Sequence, residues 1–214
     1  MNEVRHPEKA GAAAADPILP WLYEQGLLGA AISTLAQGYC ERLAAAGVPI
    51  LRSFVGLRLL HPLYRGYGYV WRRDTPEVVE ETFARNEGFG EDYLNSPILY
   101  MREHDLAMLR RRLDRPGEPE FPIYRQFRAE GAIEYLAMTA GFGKGGVADR
   151  EGQGLMMSWL TDRPGGFRED EHALITRTFP AFALAMRAAV TYHTSVTLAG
   201  VYLGREFTVE QGQE

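Results

Sequence analysis

Apolar residues recur at Leu28, Ile32, Leu35, Tyr39 and Leu43, three or four positions apart, and draw one stripe along a helix. Asp16-Pro17 predicts its start, an acidic N-cap followed by proline at the first helical position. Gly26 and Gly29 break the segment into two pieces, and Gly47 with Pro49 ends it. The pattern then changes. Leu51 to Leu60 is a largely apolar run around Phe54 and Val55, read as a strand that stops at His61-Pro62. Tyr67, Tyr69 and Trp71 alternate with Gly68 and Val70, the period of a second strand, reached through a loop around Tyr64 to Gly66.

Asp74 to Tyr93 is acidic and predicts a short exposed helix and a loop. In Ser96 to Leu113, Leu106, Leu109 and Leu113 stand at helical spacing, with Arg110 to Arg112 facing water. Arg115-Pro116-Gly117 is a turn. Phe121 to Gly131 reads as a helix, Ile133 to Phe142 as a strand, Gly143 to Gly146 as a turn and Gly154 to Thr161 as another strand. After the loop Arg163 to Phe167 a long helix begins at Glu169, whose first acids suit the positive end of the helix dipole. This order predicts an α+β domain, an antiparallel sheet flanked by helices.

The last helix carries Ile175, Phe179, Phe182, Met186, Ala189, His193, Val196, Gly200 and Leu203 in alternating steps of four and three, a heptad seam. Leu174, Ala181, Leu184, Ala188 and Tyr192 form a second stripe beside it. A helix apolar on two sides packs one side on its own domain and the other on a partner. The expected dimer interface is Phe179, Phe182, Met186, Val196 and Leu203, from two copies of the helix. The open alternative is that the first helix of the same chain covers the seam. Pro180 should bend the helix or set its first turns apart.

Composition narrows the partners. The 214 residues are 46% hydrophobic and 24% charged, enough for one packed domain with flanking helices. A net charge of -5 argues against broad nucleic-acid binding. The single cysteine, Cys40, forms no intrachain disulfide and suits a reducing cytoplasm. Residues 1–15 lack the apolar core of a signal peptide and read as a disordered lead-in. Between Thr178 and Gly204 the one charged side chain is Arg187, but the uncharged part is shorter than the roughly 20 residues of a membrane span.

Most chemical motifs fail on inspection. Gly143-Lys144 lacks the upstream glycine and the following Ser or Thr of a phosphate-binding loop. There is no G-x-S-x-G elbow and no HExxH helix, and His6, His61, His104, His172 and His193 have no metal-ligand spacing. Ser158, Thr161, Asp162 and Arg163 cluster at a strand end, either as part of a ligand site or as a turn in which Arg163 pairs with an acid. The candidate ligand residues are His61, Tyr69, Trp71, Met138, Ser158, Asp162 and Arg163. No catalytic residue, metal or cofactor is assigned.

Several segments resemble a known family. Leu60-His61-Pro62-Leu63-Tyr64 with Tyr69-Val70-Trp71-Arg72-Arg73, Gly131 to Ala137, and most specifically Ser158 to Phe167 resemble the N-terminal domains of bacterial class III adenylate cyclases. Tyr202-Leu203-Gly204-Arg205 resembles the junction into their catalytic domain. The resemblance implies a GAF-like sensory domain over 16–168, a signalling and dimerisation helix over 169–205 and a tail over 206–214, without the cyclase domain that carries catalysis. The partners it implies are a second copy or a cyclase catalytic domain, with an unidentified small molecule as ligand. In place of the helix-capping Ser or Asp of the family this chain has Arg168, and it lacks the Asn-Lys-Phe-Asp-Glu set of cyclic-nucleotide-binding GAF domains. The alternatives are a stand-alone binding or dimerisation module, or a small GAF-fold enzyme. The enzyme reading is opposed by the lone cysteine.

Overall fold

The computed structural model describes residues 17–58, 64–75, 77–84, 90–142 and 154–210, with side chains in the last helix described as far as Tyr192. The chain opens with α1 (Ile18–Leu28) and α2 (Ile32–Ala45). Pro17 takes the N-cap position without a side-chain hydrogen bond, one residue earlier in the helix than the sequence predicts, and Asp16 lies outside the described residues. Of the two candidate breaks only Gly29 acts, at φ +63°, a left-handed conformation that costs glycine little. Gly26 stays inside α1, where a Cβ would stand 3.5 Å from the Ala185 backbone, so its small size lets two helices come close.

Six strands form one antiparallel sheet in the order β3-β2-β1-β6-β5-β4. They are β1 (Arg52–Arg58), β2 (Tyr64–Arg72), β3 (Val79–Ala84), β4 (Met108–Arg112), β5 (Glu134–Gly141) and β6 (Gly154–Thr161). Two strands replace expected helices. The acidic segment forms the edge strand β3 because Val79, Glu81 and Phe83 alternate with Glu80 and Thr82, and charge on an edge discourages further pairing. The Leu109 to Leu113 step of four fits a period of two as well as 3.6, and pairing with β5 decides for the strand. Arg110, Arg111 and Arg112 are therefore not one solvated helix face. Arg110 and Arg112 pair with Glu134, while Arg111 turns to Glu120 at 2.7 Å. Short helices α3 (Glu91–Leu94), α4 (Pro97–Glu103) and α5 (Ile123–Ala129) connect the strands. Ser96 caps α4 by accepting from the Leu99 N–H at 3.2 Å.

The last helix, α6 (Glu169–Glu210), joins α1 and α2 against one face of the sheet. Ser53, Val55 and Leu57 of β1 point into this layer, giving the strand its strict alternation of burial. Tyr39 stacks on Phe182 with ring centroids 4.4 Å apart, and its hydroxyl meets Thr178 Oγ1 at 2.8 Å. Trp159 meets Phe179 edge-on at 5.9 Å.

This packing corrects the expected interface. Phe179, Phe182 and Met186 are enclosed by their own chain, with Phe182 0% exposed. Heptad spacing marks an apolar side without saying what covers it, and α1 and α2 cover this one. The side chains of Val196 and Leu203 lie outside the described set. The stretch Glu169–Tyr192 is long and apolar enough to cross a membrane by composition, but 50% of it is buried in this core. α6 also runs unbroken through Pro180, which sits on its exposed side.

Among the described residues the opposite sheet face is covered only in part. Met101 of α4 with Tyr124 and Phe127 of α5 packs on Leu109, Tyr135, Ala137, Met156 and Leu160, the β4-β5-β6 half.

Candidate functional site

Strand register arranges the partly covered face in rows. One row runs Arg72, Arg52, Leu160, Tyr135, Arg111 across β2, β1, β6, β5 and β4. The next is Val70, Phe54, Ser158, Ala137, Leu109, and the third is Gly68, Gly56, Met156, Thr139. On the β1-β2 side the second and third rows are Val70, Gly68 and Gly56 with one phenyl ring, Phe54. A Cβ at Gly68 would stand 2.8 Å from Phe54 Cε2, and one at Gly56 3.1 Å from Cε1, so the ring lies across the glycine pair. Phe83 and Val79 of β3 stand exposed beside it.

Arg52 stands out in the first row because of its neighbours' pairing. Arg72 is bound to Glu130 at 3.1 Å and Arg111 to Glu120 at 2.7 Å. Arg52 has no ion pair among the described residues, and its buried Nε has no hydrogen-bond acceptor. Its guanidinium sits 5.2 Å from the Phe127 ring centre, where the ring face offers weak attraction to a cation. Burial, and then the adjacent Arg72 cation, pull its pKa below the ordinary arginine value, with Glu130, Glu81 and Tyr135 acting the other way. Tyr135 lies near by, stacked 6.1 Å from Phe127 and 5.2 Å from Tyr124. The Tyr124 hydroxyl is also buried without a partner, and burial pushes both phenols up.

The same ends of β4, β5 and β6, one residue along and on the other face, hold the opposite kind of polar cluster. Glu134, fully buried, binds Arg110, faces Arg112 at 3.7 Å and accepts from the Phe167 N–H at 3.3 Å. A Cβ at Gly166 would collide with that carboxylate, so the glycine is needed there. Arg163 donates to both Glu171 oxygens at 2.6 Å and to the Gly166 carbonyl. Glu171 also accepts from the Arg168 N–H at 2.8 Å, a capping arrangement that starts α6 without a Ser or Asp cap. Asp162 binds Arg73, whose guanidinium holds the carboxyl below its usual range.

The sheet divides the expected ligand residues. Tyr69, Trp71 and Met138 face the α1-α2-α6 core, whereas Ser158 lies on the opposite face. Asp162 and Arg163 sit at the strand end with internal partners, and His61 lies outside the described residues. These seven residues do not form one site. Arg52, Phe54, Tyr124 and Tyr135 were missed by the sequence reading. A charged residue inside an apolar strand, in phase with Phe54 and out of phase with Val55, was the available signal. A shallow dish of about 320 Å³ beside Arg128 lies elsewhere, and Arg128 already donates to the Leu113, Arg115 and Gly117 carbonyls.

No protein-family model matches the chain, and no curated protein matches it significantly in sequence. Solved structures do. The phycoerythrobilin-bound GAF domain of a cyanobacterial phytochrome aligns with a TM-score of 0.54 at 11% identity, covering 86% of this chain and 100% of that one. The GAF domain of a two-component sensor histidine kinase from Bacillus halodurans gives 0.46 at 10% identity, covering 85% and 99%. The N-acylhomoserine lactone dependent LuxR family factor CepR2 from Burkholderia cenocepacia gives 0.47 at 15%, also covering 85% and 99%. At such identities the phytochrome likeness speaks to architecture, and with the strand order above it establishes a GAF-like α+β fold.

Proposed function

We propose that the chain is a regulatory module in which the partly open sheet face receives a small molecule and α6 carries the response to an output domain. The observation that carries this reading is the double role of α6. Its first part closes the core through Ile175, Phe179, Phe182 and Met186, and the same helix continues to Glu210. At about 1.5 Å per residue, 42 helical residues form a rod of roughly 63 Å. A change at the sheet therefore has a mechanical path outward. The segments resembling class III adenylate cyclases favour a cyclase catalytic domain as that output, and the Ser158 to Phe167 match falls on β6 and the turn that launches α6.

A second copy is the proposed partner for the outer surface of α1 and α6. Leu27, 90% exposed, and Leu184, 59% exposed, lie there with Tyr23, Leu28 and Tyr192. The two helices are in direct contact, since Gly29 packs against the Tyr192 ring and Gly26 against Ala185. α6 itself continues past this surface to Glu210. Light scattering of the full chain tests the reading. The wild type is expected as a dimer at about 100 µM, and L27E/L184E as a folded monomer, because two buried like charges cost several kcal/mol. A monomeric wild type would overturn transmission through paired helices.

A further inference from the structure

We propose that Arg52 is the anchor of a site for an organic carboxylate with a flat apolar body. This deepens the regulatory reading above and rests on it. The argument starts from hydrogen-bond supply. Among the described residues, two of the three arginines in the row are matched by acids, and Arg52 is not. A half-buried guanidinium beside apolar rings is costly to keep unless something completes it. Its planar fork fits a carboxylate with two parallel hydrogen bonds.

The surroundings select the rest of the ligand. Phe127 is beside the cation, and Phe54 lies across Gly56 and Gly68 one and two rows away. Exposed Phe83 and Val79 border that ring. A flat hydrocarbon or aromatic body stacks on such a surface of rings. Charge balance favours one negative charge over two. Glu81 on β3 and Glu130 beside Arg72 already act on Arg52, so a phosphate dianion would meet more repulsion than a carboxylate.

Benzoate is the minimal probe, with benzamide as its neutral counterpart and inorganic phosphate as the anion without a body. The readout is the Arg52 Nε–H resonance in nitrogen-proton spectra of the full chain. Benzoate is expected to move that signal in a saturable way with a midpoint at about 10 mM, the value a nine-heavy-atom fragment reaches at about 0.3 kcal/mol per atom. Benzamide and phosphate should bind at least about tenfold more weakly. Arg52→Gln should abolish benzoate binding and Arg52→Lys weaken it about tenfold, while Arg111→Gln leaves it unchanged. Equal responses to benzoate and benzamide, or to benzoate and phosphate, would overturn the proposal. So would benzoate shifts confined to other residues, a result that needs no variant to fold. Light scattering on the same samples separates the two levels. Benzoate bound at Arg52 to a monomer keeps the anion site and removes the transmission reading, whereas a dimer blind to benzoate does the reverse.

Discussion

Every strand sends alternate side chains to opposite sides, so the sheet presents two surfaces on one backbone. The side under α1, α2 and α6 is apolar, and its polar groups are mostly matched. Tyr39 meets Thr178, and the Ser53 hydroxyl donates to the Ser158 carbonyl at 2.8 Å, although the Trp159 indole N–H has no partner. Among the described residues the other side keeps a cation without an ion pair, an unpartnered phenol and a phenyl ring laid over two glycines. Matched hydrogen bonds and interdigitated rings are what folding alone requires. An unmatched cation beside exposed apolar side chains is what a binding surface retains.

The largest expected contrast is between two phenylalanines. Phe182 is sealed against Tyr39, and Phe182→Ala should cost about 3–5 kcal/mol through lost burial and the cavity left behind. Phe54 is partly exposed over glycines, and Phe54→Ala should cost less than about 1.5 kcal/mol. Urea unfolding of both variants measures the difference. Equal losses would mean that the second face is a core in its own right.

Two arginines give a smaller contrast, with opposite signs. Arg163→Ala leaves the buried Glu171 carboxylate with only the Arg168 N–H and the exposed Arg168 guanidinium, and with the Arg163 side chain 26% exposed the loss should be about 2–3 kcal/mol. Arg52→Met removes a cation that lacks a carboxylate partner and keeps its apolar bulk. Its stability should stay within about 1 kcal/mol of wild type, on the stabilising side, while any anion binding is lost. A clear loss of stability in Arg52→Met would assign Arg52 to the fold and not to a ligand.

What the sequence showed follows from how local each signal is. The α2 stripe, the β2 alternation and the start of α6 depend on residues a few positions apart, and the structure contains all three. The strands β3 and β4 escaped because their form is decided by distant partners, β2 and β5. The heptad seam was visible, but the choice of cover between a second copy and the first helix stayed open, since α1 lies far away in sequence. Tyr69 and Ser158 were grouped as ligand residues by chemistry alone, and the parity of their strands sets them on opposite faces. In the same way Arg52 gains meaning only once register brings it beside Arg72 and Tyr135, and α5 brings Phe127.

The smallest effect belongs to the Arg73–Asp162 pair, where an exposed ion pair ties the ends of β2 and β6 together. Arg73's hydrogen bond holds the Asp162 carboxyl below its ordinary value of 3.8. The unfolded chain therefore takes up this proton first, near pH 3.9 or about that. Asp162 contributes its full stabilisation above that value and loses it as pH falls through the depressed native pKa. Side chains 48% and 35% exposed are screened by water, so the contribution should be about 0.2–1 kcal/mol. At about pH 6 Asp162→Asn should unfold at slightly lower urea than wild type, with the gap closing toward about pH 2 and narrowing in high salt. A gap that persists in acid would show that Asp162 supports the turn by shape and not by charge, and the contrast with the sealed Arg163–Glu171 pair would disappear.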